Sequence, residues 1–260
     1  MSGVDLSQLA LLMAELRDPA HGCPWDRRQT LDSLSRFAVE EAYEVQDAAR
    51  RGAWDELRSE LGDLLFQVVF FSQIAQEERR FTLSDIAQTL HDKLLVRHPH
   101  VWPDGTRSSF GQPAELTEAE VNAAWEARKA IERQARGDAG VLDDVPATLP
   151  AMQRAQKLQS RAARVGFDWP DLAGVRDKID EELAELDATT TSDAQADELG
   201  DLLFTLVNYA RKAGLDAESV LAQANAKFEQ RFAQMELEGP LEGDSSEQLE
   251  ARWARAKARG

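Results

Sequence analysis

The heptapeptide "ELGDLLF" occupies residues 60–66 and recurs unchanged at residues 198–204. Further short motifs flank both occurrences in the same order, which a chance repeat does not explain. In chain order, the flanking pairs are "GCPW" (22–25) and "GFDW" (166–169), "EEAYE" (40–44) and "EELAE" (181–185), "KLLVR" (93–97) and "KFEQR" (227–231), and "WEARK" (125–129) and "WARAK" (253–257). The sequence therefore predicts two tandem copies of one domain.

The composition between the two copies predicts where one domain ends and the next begins. Residues 136–150, "RGDAGVLDDVPATLP", are rich in Gly, Pro and Asp and lack hydrophobic periodicity. We therefore predict an N-terminal domain over residues 1–135, a linker over 136–150 and a C-terminal domain over 151–260. A second irregular stretch, residues 102–115, is expected to form a long loop inside the first copy.

Hydrophobic periodicity predicts helices in both copies. Apolar residues recur at helical spacing, whereas β-branched residues are sparse and the alternation typical of strands is absent. The expected helices cover residues 30–51, 54–78, 85–97 and 117–136 in the first copy, and 172–188, 194–213, 216–235 and 245–258 in the second. The predicted fold class is all-α, with tandem duplicated helical-bundle domains.

The charge balance excludes several classes of partner. The 260 residues include 47 acidic and 30 basic side chains, for a net charge of −17. Nucleic acids and anionic membrane surfaces need a basic face, so we expect neither as a partner. A single cysteine, Cys23, and the lack of a signal peptide or transmembrane run predict a cytoplasmic protein.

The helix predicted around "LSRFAVEEAYEVQDA", residues 34–48, carries acids on its apolar face. Glu41 and Glu44 lie three residues apart on this helix, and Glu60 and Asp63 lie three apart on the next. A short turn makes the two helices antiparallel neighbours, so the four carboxylates converge. The second copy repeats the pattern with Glu182, Glu185, Glu198 and Asp201. Because "LGDLLFTLV" surrounds Asp201, we expect the aspartates to point inward.

Four converging carboxylates favour a metal site. Two like charges about 4 Å apart repel by roughly 4 kcal/mol at an effective dielectric of 20, so the group either takes up protons or binds a cation. Ligand sets made of oxygen alone suit Mg²⁺, with Mn²⁺ as a possible substitute. Three alternatives remain open: a solvated acidic face with surface salt bridges, a di-iron carboxylate oxidase, and an acidic helical scaffold without catalysis. The di-iron class needs a Glu-x-x-His motif, and here the corresponding positions hold Glu and Asp.

Three later side chains are suited to a nucleotide. Lys227 and Arg231 are four residues apart and share a helix face, where they can grip a polyphosphate. Trp253 can stack on a base. The alternatives are ordinary surface charge for the pair and a core-anchoring role for the tryptophan.

Two further positions distinguish the copies. Lys178 stands one turn before Glu182, where it can reach phosphate oxygens, but the same offset before Glu41 gives Phe37. Asn208 follows the second heptapeptide's aspartate by seven residues, and its counterpart in the first copy is Phe70. We therefore expect the second copy to carry most of the activity. The alternative for Lys178 is an ordinary ion pair with a glutamate of its own helix.

These motifs together resemble the MazG family of nucleoside triphosphate pyrophosphohydrolases. The similarity also includes "RDPAHGCPWDRRQT" (17–30), "RHPHVW" (97–102) and "KLQSRAARVGFDW" (157–169), and extends over nearly the whole chain. The resemblance implies an all-α NTP pyrophosphatase fold, a homodimer, and Mg²⁺-dependent cleavage of an NTP to NMP and pyrophosphate. It also implies broad base tolerance and a role in nucleotide house-cleaning or stress.

The resemblance further implies roles for individual residues. Glu182, Glu185, Glu198 and Asp201 match the family's metal ligands, and the set Glu41, Glu44, Glu60 and Asp63 is a second, weaker or structural one. Lys178, Lys227, Arg231 and Trp253 match its nucleotide contacts, to which the reasoning from the residues adds Asn208. Glu181, the first acid of its motif, lies on the neighbouring helix face and is expected to orient water or a ligand.

Overall fold

The structure is a computed structural model that describes residues 5–111, 117, 120–121 and 140–259. The chain divides into two compact units, Met1–Lys129 and Ala130–Gly260. The described part of the chain contains helices, turns and bends but no strand, which confirms the all-α fold class. None of its helices is long and apolar enough to cross a bilayer.

The first unit contains four described α-helices. They are α1 (Leu6–Leu16), α2 (Leu31–Arg51), α3 (Trp54–Glu77) and α4 (Leu83–Arg97), with short 3₁₀ turns at Asp26–Arg28 and Arg107–Ser109. Helix α2 ends at Gly52, whose φ of 67° lies in the left-handed region that glycine adopts without steric cost. This turn reverses the chain, so that α2 and α3 form a hairpin, while α1 and α4 pack on α3.

The second unit contains five described α-helices. They are α5 (Ala151–Arg164), α6 (Leu172–Ala188), α7 (Ser192–Lys212), α8 (Ala217–Glu236) and α9 (Ser246–Arg259). Helices α6 and α7 form a hairpin that corresponds to α2–α3. Helix α5 packs on α7 and α8, and α9 pairs with α8.

Every predicted helix that falls on described residues is present, with ends within two residues of the expected ones. The side chain of Thr82 caps α4. The helix predicted over 117–136 lies outside the described residues except at its start, where Thr117 and Glu120 form a capping box. Of the repeated motifs, "WEARK" lies outside the described residues.

The sequence reasoning missed α1 and α5. Helix α5 contains mostly Ala, Gln and Arg, so it shows no stripe of large apolar residues. Helix α1 is an apolar run with a local start signal, because Asp5 and Gln8 form a capping box at its first turn.

The hydrophobic cores of the two units differ in their largest side chains. In the first unit, Phe70 of α3 is completely buried and packs with Met13, Leu34, Val69 and Ile74. The buried apolar residues of α6 and α7 in the second unit are smaller. They are Val175, Ile179, Leu202 and Val207.

Candidate active site

The α6–α7 hairpin brings three of the four predicted ligands of the second copy together. Carboxylate oxygens of Glu182, Glu185 and Glu198 all lie within 4.8 Å of one another. Glu182 is 3% exposed, Glu198 is half-buried and Glu185 is exposed. The cluster therefore extends from the hairpin interior to solvent, as a site that must admit a ligand requires.

The electrostatics of this cluster include Asp201. Burial raises the pKa of the Glu198 carboxyl, and the neighbouring charges of Glu185, Glu182 and Asp201 raise it further. Four acids thus interact here, as the sequence predicts. Their mutual repulsion disfavours the fully ionised cluster unless a cation joins it.

One buried oxygen of Glu182 has no partner. Its Oε1 lies 2.9 Å from the Nζ of Lys178, but its Oε2 accepts no hydrogen bond from any described residue. An unpaired buried carboxylate oxygen is costly, and a cation at this position removes the cost. The donor set consists of oxygen atoms alone, which is the chemistry that Mg²⁺ prefers. The residues present therefore fit a hard divalent cation.

Lys178 contacts two glutamates of its own helix. Its Nζ donates to Glu181 Oε1 at 2.8 Å and pairs with Glu182. The hydrogen bonds that the Lys178 ammonium donates, first to Glu181 and then to Glu182, raise its pKa, so the group stays charged. Lys178 thus forms an ion pair with glutamates of its own helix, which the sequence analysis gave as the alternative to a phosphate contact. Glu181 is exposed at the edge of the cluster.

The first copy builds the same cluster. Oxygens of Glu41, Glu60 and Asp63 lie within 4.8 Å of one another. Burial raises the pKa of Glu41, with further contributions from Asp63, Glu44 and Glu60. Glu44 therefore belongs to the cluster as well, and the convergence predicted for both copies is present in both.

The expectation that the aspartates point inward is wrong, because Asp63 and Asp201 are exposed. The apolar residues around Asp201 suggested that this part of α7 is buried, but they are themselves exposed: Leu199 is 46%, Leu203 is 47% and Phe204 is 42% exposed. The aspartates therefore stand at the open side of each cluster.

The predicted nucleotide contacts on α8 and α9 form a second group. The guanidinium of Arg231 lies 6.0 Å from the centre of the Trp253 ring, which packs against Phe228 at 5.3 Å. The Nε of Arg231 is buried without a hydrogen-bond partner among the described residues. A cavity of 140 Å³ lies beside it, lined by Lys227, Gln230, Arg231, Gln234, Ala256 and Arg259. Within the described residues, no ion pair joins this group to the acids of α6 and α7.

Asn208 is 3% exposed and is held by residues that the sequence reasoning missed. Its Oδ1 accepts hydrogen bonds from Arg211, which in turn binds Asp168. Asp168 belongs to the repeated "GFDW" motif, and Arg211 follows Asn208 by three residues, so both signals were present in the sequence.

The corresponding positions of the first copy lie in an aromatic cluster. Phe70 packs edge-on against Phe66 at 5.6 Å and Trp25 at 6.4 Å, and Phe37 lies 6.0 Å from Trp25. The two positions that are polar in the second copy therefore belong to packed apolar structure in the first.

The class of protein that matches this all-α fold and its carboxylate clusters is the nucleotide pyrophosphohydrolases. Family models agree for both copies: the MazG nucleotide pyrophosphohydrolase domain matches residues 29–102, and phosphoribosyl-ATP pyrophosphohydrolase matches residues 152–228. The chain belongs to the MazG family of nucleoside triphosphate pyrophosphohydrolases, as its curated relatives show.

Three relatives illustrate the similarity. The nucleoside triphosphate pyrophosphohydrolase of Escherichia coli K12 is 47% identical over 236 residues, 89% of this chain and 87% of the relative. The nucleoside triphosphate pyrophosphohydrolase/pyrophosphatase MazG of Thermotoga maritima is 39% identical over 261 residues, which are 98% of this chain and 97% of the relative. The nucleoside triphosphate pyrophosphohydrolase of Mycolicibacterium smegmatis is 40% identical over 167 residues, which are 64% of this chain and 48% of the relative.

Proposed function

We propose that the second copy hydrolyses nucleoside and deoxynucleoside triphosphates to the monophosphate and pyrophosphate, with Mg²⁺ as cofactor and Mn²⁺ as a possible substitute. The observation that carries this proposal is the Glu182–Glu185–Glu198 cluster, in which a buried carboxylate oxygen has no partner. The names of the relatives support the substrate class.

Glu182, Glu185, Glu198 and Asp201 are the residues that would hold the metal. When bound, Mg²⁺ would neutralise charge on the triphosphate and lower the pKa of a water molecule that it coordinates. The half-exposed arrangement of the acids suits Mg²⁺, which keeps several waters and shares its remaining positions with substrate phosphates.

Lys178 exchanges partners in this proposal. Its stem is flexible and its side chain is 31% exposed, so the ammonium can leave the glutamates for a phosphate oxygen. This exchange frees Glu182 for the metal. It also frees Glu181, whose exposed carboxylate then orients the water that attacks the α-phosphorus and takes its proton. Pyrophosphate leaves in line with the attack.

Lys227 and Arg231 bind the leaving pyrophosphate in this proposal. The buried, unpartnered Nε of Arg231 and the neighbouring small cavity fit an anionic oxygen. Trp253 stacks on the base, and stacking accepts any base, which gives broad base tolerance. An enzyme of this kind serves nucleotide house-cleaning or stress responses in the cytoplasm, with no nucleic acid as partner.

A homodimer is the assembly that we propose. Large apolar side chains on α7 and α8 are exposed, among them Leu203, Phe204 and Leu206 on α7 and Phe228 at 56% on α8. Large apolar side chains exposed in this number favour an interface, and closed two-fold assembly is the commonest way for a chain to bury them. Light scattering after gel filtration tests this, and a monomeric mass at micromolar concentration would contradict it.

The first copy keeps its acids as a weaker or structural metal set. The domain limits 1–135 and 151–260, with the linker 136–150, are part of this proposal. The second copy is the main catalytic one, because Lys178 and Asn208 have apolar counterparts in the first.

The decisive experiment is a pyrophosphate-release assay over all NTPs and dNTPs, with phosphoribosyl-ATP included because of the second family model. We expect release from the triphosphates with Mg²⁺ or Mn²⁺ and none in excess EDTA. Undiminished release in EDTA would overturn the metal assignment. Absence of release from every substrate would favour the acidic scaffold, and oxygen consumption with Fe²⁺ would favour the di-iron class.

A further inference from the structure

Arg211 connects the end of α7 to the loop before α6. Its Nε and Nη2 both donate to Asn208 Oδ1, at 3.0 and 2.6 Å, and its Nη2 also donates to Asp168 Oδ1 at 2.5 Å. The Arg211 and Asp168 side chains are 14% and 20% exposed, so the guanidinium is held in a nearly buried ion pair. Lys212 strengthens this connection, because its Nζ donates to the backbone carbonyl of Trp169.

This arrangement fixes which end of the Asn208 amide binds Arg211 and which end is left for another partner. A guanidinium has five donors and no acceptor, so it can bind only the oxygen of a carboxamide. With Oδ1 occupied by Arg211, the Nδ2 amino group points away from it. No described residue accepts a hydrogen bond from Nδ2. Asn208 therefore offers two N–H donors and no free acceptor to whatever approaches.

The three polar residues are replaced together in the first copy. Aligning the heptapeptides and the "GCPW" and "GFDW" motifs places Phe70 at the position of Asn208, Gln73 at that of Arg211 and Pro24 at that of Asp168. Phe70 is completely buried in the core, so it needs no partner. All three members of the Asp168–Arg211–Asn208 network thus differ between the copies.

We propose that Arg211 is a positioning residue for nucleotide recognition: held by Asp168, it binds Asn208 Oδ1 and turns the Nδ2 amino group toward the nucleotide. The second copy then reads a hydrogen-bond acceptor oxygen on the nucleoside, either a sugar hydroxyl or a base carbonyl. This inference rests on the proposed function, in which Asn208 contacts the substrate.

A double-mutant cycle tests the proposal. Asn208→Ala removes the donor, and we expect the KM for NTPs to rise about fivefold to tenfold with little change in kcat. Arg211→Met lets the amide turn over, and we expect KM to rise by nearly the same factor. Because Arg211 acts through Asn208, Arg211→Met should add nothing to KM when Asn208 is already alanine.

Two further variants separate positioning from packing. Asn208→Asp keeps the oxygen that Arg211 binds but replaces the donor with an acceptor, so KM should rise at least as much as for alanine. Arg211→Lys keeps the positive charge beside Asp168, and it replaces Arg211→Met in the double-mutant cycle if the methionine variant does not fold. Gln73→Met is the matched control at the equivalent position of the first copy, and its KM should equal that of the unmodified protein.

The sugar and the base are distinguished with 2′,3′-dideoxynucleotides. If the KM ratio between Asn208→Ala and the unmodified protein falls to about one, the acceptor is a sugar hydroxyl; if the ratio persists, it is on the base. Additive KM effects in the double mutant, or an unchanged KM in Asn208→Ala, would overturn the inference. Failure of the proposed function is distinguishable, because the unmodified protein would then release no pyrophosphate.

Discussion

The first copy gathers Glu41, Glu60 and Asp63 as closely as the second gathers Glu182, Glu185 and Glu198. Around these clusters the two copies differ. The second has a lysine and an arginine–asparagine pair, whereas the first has aromatic rings packed into its core. In the proposed function, both copies have the carboxylate cluster but only the second has the nucleotide site. The difference shows that a duplicated domain can keep its acids while polar positions near them are replaced by packed apolar side chains.

Removing the acids of each copy in turn tests this comparison most strongly. We expect Glu182→Gln/Asp201→Asn to abolish turnover, by about 10³-fold or more, because the amides keep the shape but not the charge that a cation and the reaction need. Glu41→Gln/Asp63→Asn should keep most of the activity. Pyrophosphate release, with circular dichroism as the folding control, measures both. The opposite pattern would mean that the copies have been assigned the wrong way round.

The core role of the first copy predicts a large effect on stability. Phe70→Ala should lower the free energy of unfolding of the first unit by about 3 kcal/mol, because it leaves a cavity in a packed core. Asn208→Ala, at the equivalent position, should cost about 1 kcal/mol and raise KM instead. Urea unfolding and steady-state kinetics on the same samples measure both quantities. Equal stability losses would remove the contrast between the copies.

Trp253 gives an intermediate effect. Trp253→Ala should raise KM about tenfold for every nucleotide, because a stacked base is worth about 1–3 kcal/mol. Trp54→Ala is the control, since Trp54 of the first copy is 79% exposed, and its KM should not change. An unchanged KM in Trp253→Ala would mean that the Trp253 ring only packs against Phe228 and does not contact the base.

The smallest effects concern one arginine–carboxylate pair in each unit. A hydrogen bond from Arg17 holds the pKa of Glu77 below its ordinary value of 4.5. The pair therefore stabilises the fold above about pH 4.5, and the contribution is lost as the pH falls through the lowered pKa. Because Glu77 is 38% exposed, we expect Glu77→Gln to cost at most about 1 kcal/mol at pH 7.

Asp168 is the counterpart of this pair in the second unit. Burial alone would raise the pKa of Asp168, but the bonds from Arg211 and Lys212 outweigh it and hold the pKa below 3.8. Asp168→Asn should therefore cost more than Glu77→Gln at pH 7, because Asp168 is less exposed. Both differences should shrink below about pH 4 in urea unfolding. If either difference in the free energy of unfolding grew as the pH fell, the assigned direction of the pKa shift would be wrong.

Much of the fold follows from local patterns in the sequence. Helical periodicity and the turn at Gly52 locate the α2–α3 hairpin, and the i, i+3 spacing then brings the acids together. The sequence did not show which acids would be buried, because burial depends on which helix faces are covered. The Asp168–Arg211 bond joins residues 43 positions apart, and no local pattern predicts such a pair.

The complete burial of Phe70 also limits how the chain can evolve. For a polar contact at this position, the first copy would have to place an amide where a ring now fills the core, and Pro24 has no side-chain acceptor to hold an arginine as Asp168 does. Each intermediate with one change would carry a cavity or an unpaired polar group before any substrate contact compensated it. On the proposed division of labour, a single substitution at Phe70 is therefore not enough to give the first copy a nucleotide contact like that of Asn208.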